Sequence, residues 1–569
     1  MIYIKQAVFL CWSFLASAAW PVFGATWSPD PSVGNVDQHR RLYEIARHYA
    51  DANFDPDANL MGVDTLHPPD KTRHSFREST YYAYGLLLTG DPSDRLRAQA
   101  ILKRVVSSQD TRLGSPSNGA FLWYTDQYWE TLQNPDLNSA AFVGLGLADI
   151  IDLDRRHPCL DPDVRSQVEK AGRLAVQEIM RRNVDPGYTN IALLSIAVAA
   201  AGQKLWAIPG AGAWAQAKLD TVVNLAGDGY VYEYLSPTYT AVDFLGAYLA
   251  KKFAFSETFA RTTDVIIDSL WKQVVTAYHA PTFQLGGPFG RAYGDDMLTY
   301  AAGLKYWFYL GLDGAYPINE WDKGVDKGGL FLLADLSIPV RPEFKTPPVA
   351  WREFTAVGPD DKLHPPRHLF QYRDGNFILG TVAAQDEWKQ KRNLVAYWRS
   401  DAPLPVGFRV GFCIDKSNET LPNGFPYARI FFYSKQVKGA ALVALVGSKD
   451  IPKEGGCSLV FDSGAAVIAG EDAVPLRVRD GSITAYLWPI STGTVGFVTE
   501  TGSHNLLVNR PWTSADAVGP LHVLSYLIVF RPPDQPAPKV SGLGLNPDAT
   551  GVSVSARVDG DDLSLSVKN

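Results

Sequence analysis

The stretch Ile338-PVRPEFKTP-Pro348 decides how the chain divides. Its prolines withhold backbone donors and disfavour both helix and central strand, and the hydrophobic period changes across it. On the N-terminal side, from about Val36 to Leu333, apolar residues recur at three- and four-residue steps, as in Gln38-HRRLYEIARHYADA. That spacing lines one face of a helix. The same reading predicts helices over Arg77–Leu88, Ser93–Ser108, Asn138–Leu153, Pro162–Arg182, Asn190–Ala201, Ala211–Asn224, Thr240–Phe255, Asp264–Tyr278 and Asp296–Leu310. Loops such as Gly114-SPSNG, Asp185-PGYT and Gly286-GPFG separate them, and medium helices joined this way suit hairpins stacked into a ring. On the C-terminal side the runs Phe377-ILGTVA, Leu394-VAYW, Phe408-RVGFCI, Arg429-IFFYS, Ala441-LVALVG, Ala485-YLWPI, Val495-GFVTE and Val523-LSYLIVF read as strands. Turn pairs such as Asp374-Gly375, Asn423-Gly424 and Asp480-Gly481 fall between them, the pattern of antiparallel hairpins. The expected fold is multidomain α+β. An (α/α)n toroid, an incomplete helical barrel, spans residues 25–337; a linker spans 338–348; an antiparallel β-sandwich spans 349–569. The tail from Pro532 adds strands such as Val552-SVSARV.

Of the 569 residues, 46% are hydrophobic and 20% charged, which allows large cores and excludes a disordered chain. A net charge of -7 lacks the basic footprint of a nucleic-acid binder, so a cationic field for an anionic ligand has to be local. Residues 1–24 carry Lys5, an apolar run from Ala7 to Trp20 and the small Gly24, the plan of a secretory signal. The run is short of the roughly 20 residues a span needs. These features predict a secreted or periplasmic protein with no membrane span after cleavage. Cys159, Cys413 and Cys457 then remain; the last two lie in the strand-rich half and their spacing leaves a bridge open. No CxxC or HxxxH spacing suggests a metal cage, and no GxxxxGK or GxSxG motif is present. The sequence calls for no cofactor.

Four segments gather polar residues in or beside loops: Arg73-HSFRESTYY, Asn183-VDPGYTNIAL, Gly229-YVYEYLSPTYTAVD and His279-APTFQLGGPFGRAYGDDM. Loops carry function more often than cores do. Asn190 opens an apolar helix, and a helix N-terminus favours an anionic group; Asn is also a favoured N-cap. Tyr239 follows roughly fifty residues later at the start of another long helix.

The order of toroid and sandwich, with the phrases Tyr188-TNIAL, Glu233-YLSPTYTAVD and Gly287-PFGRAYGDDM, resembles polysaccharide lyases of the heparinase II/III-like and alginate-lyase-like kind. The resemblance covers most of Ser75 to Thr299 and, more loosely, Phe377 to Trp398. It implies β-elimination on a uronic-acid polysaccharide, an acidic substrate. Such a reaction removes the C5 proton beside the carboxylate and breaks the C4–O bond. It needs donors on the carboxylate, a base at C5 and an acid at the leaving oxygen. In the toroid-type lyases an Asn neutralises the carboxylate and a Tyr on a later hairpin is acid or base. Onto this chain these roles fall on Asn190 and Tyr239. Many of those lyases place a His after the Asn, where Ile191 stands here. A second expected His, in a Pro-His-Ser-Arg-Tyr-like run, is replaced near Phe289, while Arg291 and Tyr293 remain. These departures leave Tyr239 in both roles, with a nearby cation lowering its pKa, or bring in a second Tyr such as Tyr293.

The catalytic candidates are therefore Tyr239, Asn190, Tyr293 and Arg291. The substrate-binding candidates are His74, Arg77, Glu78, Trp123, Tyr188, Glu233 and His279. Each has a structural alternative: His74, Arg77 and Glu78 share the spacing of a helix salt bridge, Arg291 has Asp295 and Asp296 as partners, and Trp123 suits a core as well as a sugar subsite. Two rival functions stay open. A glycoside hydrolase needs two carboxylates about 5 to 10 Å apart, with Glu233 and Asp126, Asp295 or Asp296 as candidates. A non-catalytic carbohydrate-binding homologue needs only the groove.

Overall fold

A computed structural model describes Trp27 and residues 34–568, apart from 64–69, 227–228, 295, 299–302, 319–326, 346–349, 357–365, 376, 387–389, 400–405, 414–429, 449–455, 463–465, 470–474, 481–482, 492–497, 502–504, 512–515, 519–520, 533 and 549–550. Residues 1–24, Asp295 and the Asn423-Gly424 turn thus lie outside the described residues. The helices are α1 (Val36–Asn53), α2 (Phe76–Leu88), α3 (Pro92–Ser107), α4 (Ser139–Arg156), α5 (Pro162–Arg182), α6 (Thr189–Trp206), α7 (Ala211–Leu225), α8 (Thr240–Lys252), α9 (Glu257–Ala277), α10 (Leu304–Gly311) and α11 (Leu330–Ala334). Capping explains the boundaries. Pro162 at the first helical position starts α5, where Asp161 gives no side-chain cap bond, and the Asp91 side chain accepts from Ser93 N and Asp94 N at the start of α3. α9 begins before the expected Asp264 because the Ser256 hydroxyl accepts from Phe259 N at 3.1 Å. The helix expected from Asp296 starts only at Leu304, since Asp296 Oδ1 accepts from Gln284 Nε2 and from Leu298 N in a loop.

Helices α2, α4, α6 and α8 are buried nearly all round, whereas α3, α5, α7 and α9 bury one side. Each fully buried helix pairs with the half-buried one that follows it, and the buried four pack side by side, so the hairpins form an inner and an outer wall. Small residues set the approach. A Cβ on Gly246 of α8 would lie 2.7 Å from the Leu193 carbonyl carbon of α6, so only glycine lets these two backbones meet. The four inner helices start at the same end of the ring, where Arg77, Asn138, Asn190 and Tyr239 border one cavity. The short α11 fills the lumen: Phe331 packs on Tyr43 and Tyr82, and Leu330 and Leu333 reach the cavity. Below it Asp335 binds Lys252, Arg156 and Tyr84. Among the described residues no helix is long and apolar enough to cross a membrane.

The strand half forms two antiparallel sheets. The first runs Val498–Thr501, Asn505–Pro511, Gly456–Asp462, Val406–Cys413, Leu394–Trp398, Phe377–Val382, Arg367–Arg373, Trp351–Ala356 in spatial order. The second runs Ala466–Ala469, Leu476–Asp480, Ile483–Ile490, Leu521–Arg531, Ala440–Ser448, Ile430–Val437, Ala384–Asp386. They pack through aromatic contacts, with Phe377 and Trp398 about 6 Å from Phe530 between ring centroids. The strand Leu521–Arg531 is buried on both faces: Leu524, Tyr526, Ile528 and Phe530 enter the sandwich core, and Val523, Leu527 and Val529 enter a second core. That second core lies under a three-stranded sheet of Val540–Asp548, Gly551–Val558 and Asp561–Lys568. The tail read as extra strands therefore covers the outer face of the sandwich. Cys457 stands opposite Phe412, and Cys413 opposite Gly456, so the two cysteines are one step out of register.

The sandwich grips the loop at Gly286–Ala292. Gln371 Nε2 donates to Gly286 O at 2.9 Å and Gly287 O at 2.7 Å, and Phe289 and Arg392 exchange backbone hydrogen bonds of 3.0 and 3.1 Å. A Cβ on Gly380 would sit 1.8 Å from Gly287 O, whereas one on Gly375 meets nothing within 4 Å. Gly380→Ala is therefore expected to destabilise the protein by about 1–3 kcal/mol, as overpacking against backbone does. Gly375→Ala stays within about 0.5 kcal/mol. Thermal melts of the two variants check this; equal midpoints would contradict it.

Candidate active site

The cavity at the start of the inner helices has a volume of about 590 Å³. Tyr239, Asn190, Tyr293, Arg291, Arg77, Glu78, Trp123 and Tyr188 line it. His74 and His279 do not, and Glu233 stands behind the wall, where it bonds to Asn190 and Arg291.

Glu233 is the hub. Its Oε2 accepts from both Asn190 N (3.0 Å) and Asn190 Nδ2 (2.6 Å), and its Oε1 accepts from Arg291 Nη1 (2.8 Å). Asn190 was expected at the head of its helix; it lies in the first turn, after Thr189, and the cap residue Tyr188 gives no side-chain bond. The anion favoured at that helix terminus is thus the protein's own Glu233. The backbone N–H and one amide N–H of Asn190 go to it, and Asn190 Oδ1 is buried without a partner. A carboxylate accepts only, which fixes the orientation of this amide.

Arg291 comes from the loop that the sandwich holds. Its Nε donates to Gln390 Oε1 at 2.6 Å. Its guanidinium lies 4.2 Å from the centroid of the Tyr239 ring and 5.0 Å from that of Tyr188, within cation–π reach. The Tyr188 hydroxyl accepts from Asn138 Nδ2 at 3.0 Å, and Arg182 Nη2 holds Asn138 Oδ1. Tyr239 is 9% exposed and Tyr293 57%, with their ring centroids 5.7 Å apart. Burial, and after it the hydrogen bond with Tyr293, raises the Tyr239 phenol well above its usual 10, although Arg291 pulls it down. The expectation that a cation lowers this pKa is thus reversed, because desolvation outweighs the single guanidinium. Tyr239 is neutral at rest.

The other wall belongs to α2. Ser75 caps that helix by accepting from Glu78 N. Arg77 Nε donates to Glu78 Oε1 at 3.0 Å, and Glu78 Oε2 accepts from Gly328 N at 3.0 Å, which ties the approach to α11. Arg77 also lies 5.7 Å from the Trp123 ring centroid. His74 does not share this helix face. It lies on the strand Asp70–Ser75, bonded through Nε2 to Asp55 at 2.8 Å. His279 is at the sandwich junction, between Thr282 Oγ1 (2.8 Å) and Asp374 O (2.9 Å), and burial lowers its pKa to about 4. Asp126 pairs with Arg73 and Asp296 with Gln284, both off the cavity, so the described carboxylates do not assemble the hydrolase pairs considered above. Asn138 and Gln390 are not legible as site residues in the sequence: the first looks only like a helix start, and the second is brought in by sandwich packing. Among the described residues no three His, Cys, Asp or Glu side chains are grouped to hold a metal.

Arg291→Ala is expected to leave Glu233 charged and buried, and so to cost about 3–5 kcal/mol. The double variant Arg291→Met with Glu233→Gln recovers most of that loss in denaturant titrations. A single variant as stable as the wild type would show that the pair is not a unit.

A sequence profile for a domain of unknown function (DUF8769) matches residues 40–323. No curated protein matches the chain. Among solved structures, the chain is similar to the Streptomyces coelicolor A3 chondroitin AC lyase in complex with chondroitin sulphate, at 12% identity and a TM-score of 0.50, covering 93% of this chain and 84% of that one. Heparinase III matches at 11% identity and a TM-score of 0.49, covering 96% and 94%. A family 88 glycosyl hydrolase from Bacteroides vulgatus matches at 13% identity and a TM-score of 0.33, covering 52% and 97%. The chain has the fold of a toroid-type polysaccharide lyase, a helical toroid followed by an antiparallel β-sandwich.

Proposed function

We propose that the protein is an exported lyase that cleaves a uronate-containing polysaccharide by β-elimination, with Tyr239 moving the proton. The observation that carries this reading is the placement of Tyr239 in the cavity wall, with Arg291 4.2 Å from its ring centroid and Tyr293 beside it. The fold, shared with a chondroitin lyase, supports the substrate class. The substrate carboxylate is received on the Asn190–Arg291 side, sharing their N–H groups with Glu233. Tyr239 loses its proton toward solvent through the exposed Tyr293, and Arg291 stabilises the phenolate. The phenolate oxygen takes the C5 proton; that C–H electron pair forms the C4–C5 double bond as the C4–O bond breaks. The same oxygen then returns the proton to the leaving oxygen, a syn course that needs no histidine. Trp123 and Tyr188 offer ring faces to neighbouring sugars.

Short-wavelength ultraviolet absorbance tests the reaction, because each cut leaves a conjugated unsaturated uronate. Cleavage of uronate polymers with no rise in absorbance would end this reading. Tyr239→Phe is expected to lower turnover by about 10²–10⁴-fold, the scale of general acid–base catalysis, with substrate binding retained in titrations. Full activity in that variant would remove Tyr239 from the mechanism. Because burial holds the phenol above its usual value, the phenolate is scarce at neutral pH and grows with pH. The rate is then expected to rise about tenfold per pH unit from about pH 7 to about pH 9. A flat profile would show that Tyr239 is not the base.

A further inference from the structure

Asp243 has no part in the reaction above, yet it stands behind the same wall, next to the lining residue Val242. It sits one turn after Tyr239 on α8, with its backbone N–H donating to Tyr239 O at 2.8 Å. It is fully buried, and neither carboxyl oxygen has a hydrogen-bond partner. A buried carboxylate without partners is costly, so the group needs another state. Helices α6 and α8 both start at the cavity end and meet at Leu193 and Gly246. Three residues back toward the N-terminus on each helix stand Asn190 and Asp243, at one level of the ring. Thr240 Oγ1, three residues before Asp243, and Asn190 Oδ1 are orphans there too; Asn190 Oδ1 is an acceptor only, buried and unpartnered, while its amide nitrogen is taken by Glu233. Two acceptors at one level of the ring make no bond to each other unless one carries a proton. The charges acting on Asp243 point the same way. Burial first and Glu233 second push its pKa well above the carboxylate range, against Arg291. Arg291 already neutralises Glu233.

We propose that Asp243 is a positioning residue for Asn190: as a neutral acid it gives its O–H to the Asn190 amide oxygen and so keeps the amide N–H groups turned toward Glu233. The proton satisfies two buried groups at once, and the Glu233–Arg291 pair is spared a second negative charge beside it.

The test is the infrared spectrum of the full-length protein at neutral pH, wild type minus Asp243→Asn. The carbonyl stretch of a protonated carboxylic acid is expected in the wild type and lost in the variant; a carboxylate band in its place would overturn the proposal. Stability gives a second reading. A carboxyl whose folded pKa is raised contributes stability fully below its unfolded value of about 4, and loses it as pH rises through the folded value. The thermal midpoint of the wild type should therefore fall relative to that of Asp243→Asn as pH is raised; parallel midpoints would count against the proposal. In the activity arm, which alone rests on the lyase reading, Asp243→Leu is expected to lower turnover about 100-fold by misplacing Asn190. Asp243→Asn, which keeps a neutral donor, recovers most of that loss, and equal activity of the Leu variant and wild type would overturn the positioning role. If the wild type turns over no uronate polymer, the lyase reading fails while the infrared band still decides the state of Asp243. If the Leu variant does not fold, the Asn variant and the spectrum carry the decision.

Discussion

The carboxylate of Glu233 holds the cavity wall together. One oxygen accepts from the backbone N and the side-chain Nδ2 of Asn190 in the first turn of α6, and the other binds Arg291 on a loop far along the chain. Replacing such a buried ion pair with packed apolar groups is often neutral for stability, while breaking it by removing one partner is costly. Its value here is geometric. It fixes the guanidinium where it faces the rings of Tyr188 and Tyr239, and it fixes which way the Asn190 amide faces.

That arrangement explains why one site uses two large folded units. The ring supplies Asn190 and Tyr239 from its helix ends and Glu233 from the turn between α7 and α8, but Arg291 comes from a loop that the sandwich holds through Gln371, Gln390 and Arg392. Glycines at the contact remove the side chains that would push the loop away. The same Arg291–Glu233 pair borders a second recess of about 150 Å³ toward Arg367 and Lys391. The sandwich is thus a support for the candidate site.

Much of the fold was legible because local signals agreed with the packing. Asp161 and Pro162 mark the start of α5, and the apolar run after Asn190 marks an inner helix buried all round. Less local facts escaped. The alternation in Val523–Phe530 is hidden because both faces are apolar, one for each of two cores. His74 and Arg77 shared a helical spacing, but Ser75 caps the helix between them and leaves His74 on a strand. Asn190 was read as a donor for a substrate anion, and the anion it meets is Glu233, whose partner depends on chain crossings that spacing does not reveal. Asp243 gave no signal at all, since its burial beside Glu233 is a property of the ring. The sign of the Tyr239 shift also depends on burial, which one sequence position does not carry.

Elimination by Tyr239 would break the chain of a uronate polymer without adding water. Digestion in water enriched in heavy oxygen, followed by mass spectrometry of the products, tests it most directly. Elimination gives an unsaturated fragment at each cut that is lighter by one water than its hydrolysis counterpart, with no solvent oxygen gained. One heavy oxygen gained per cut, with no unsaturated end, would show hydrolysis instead.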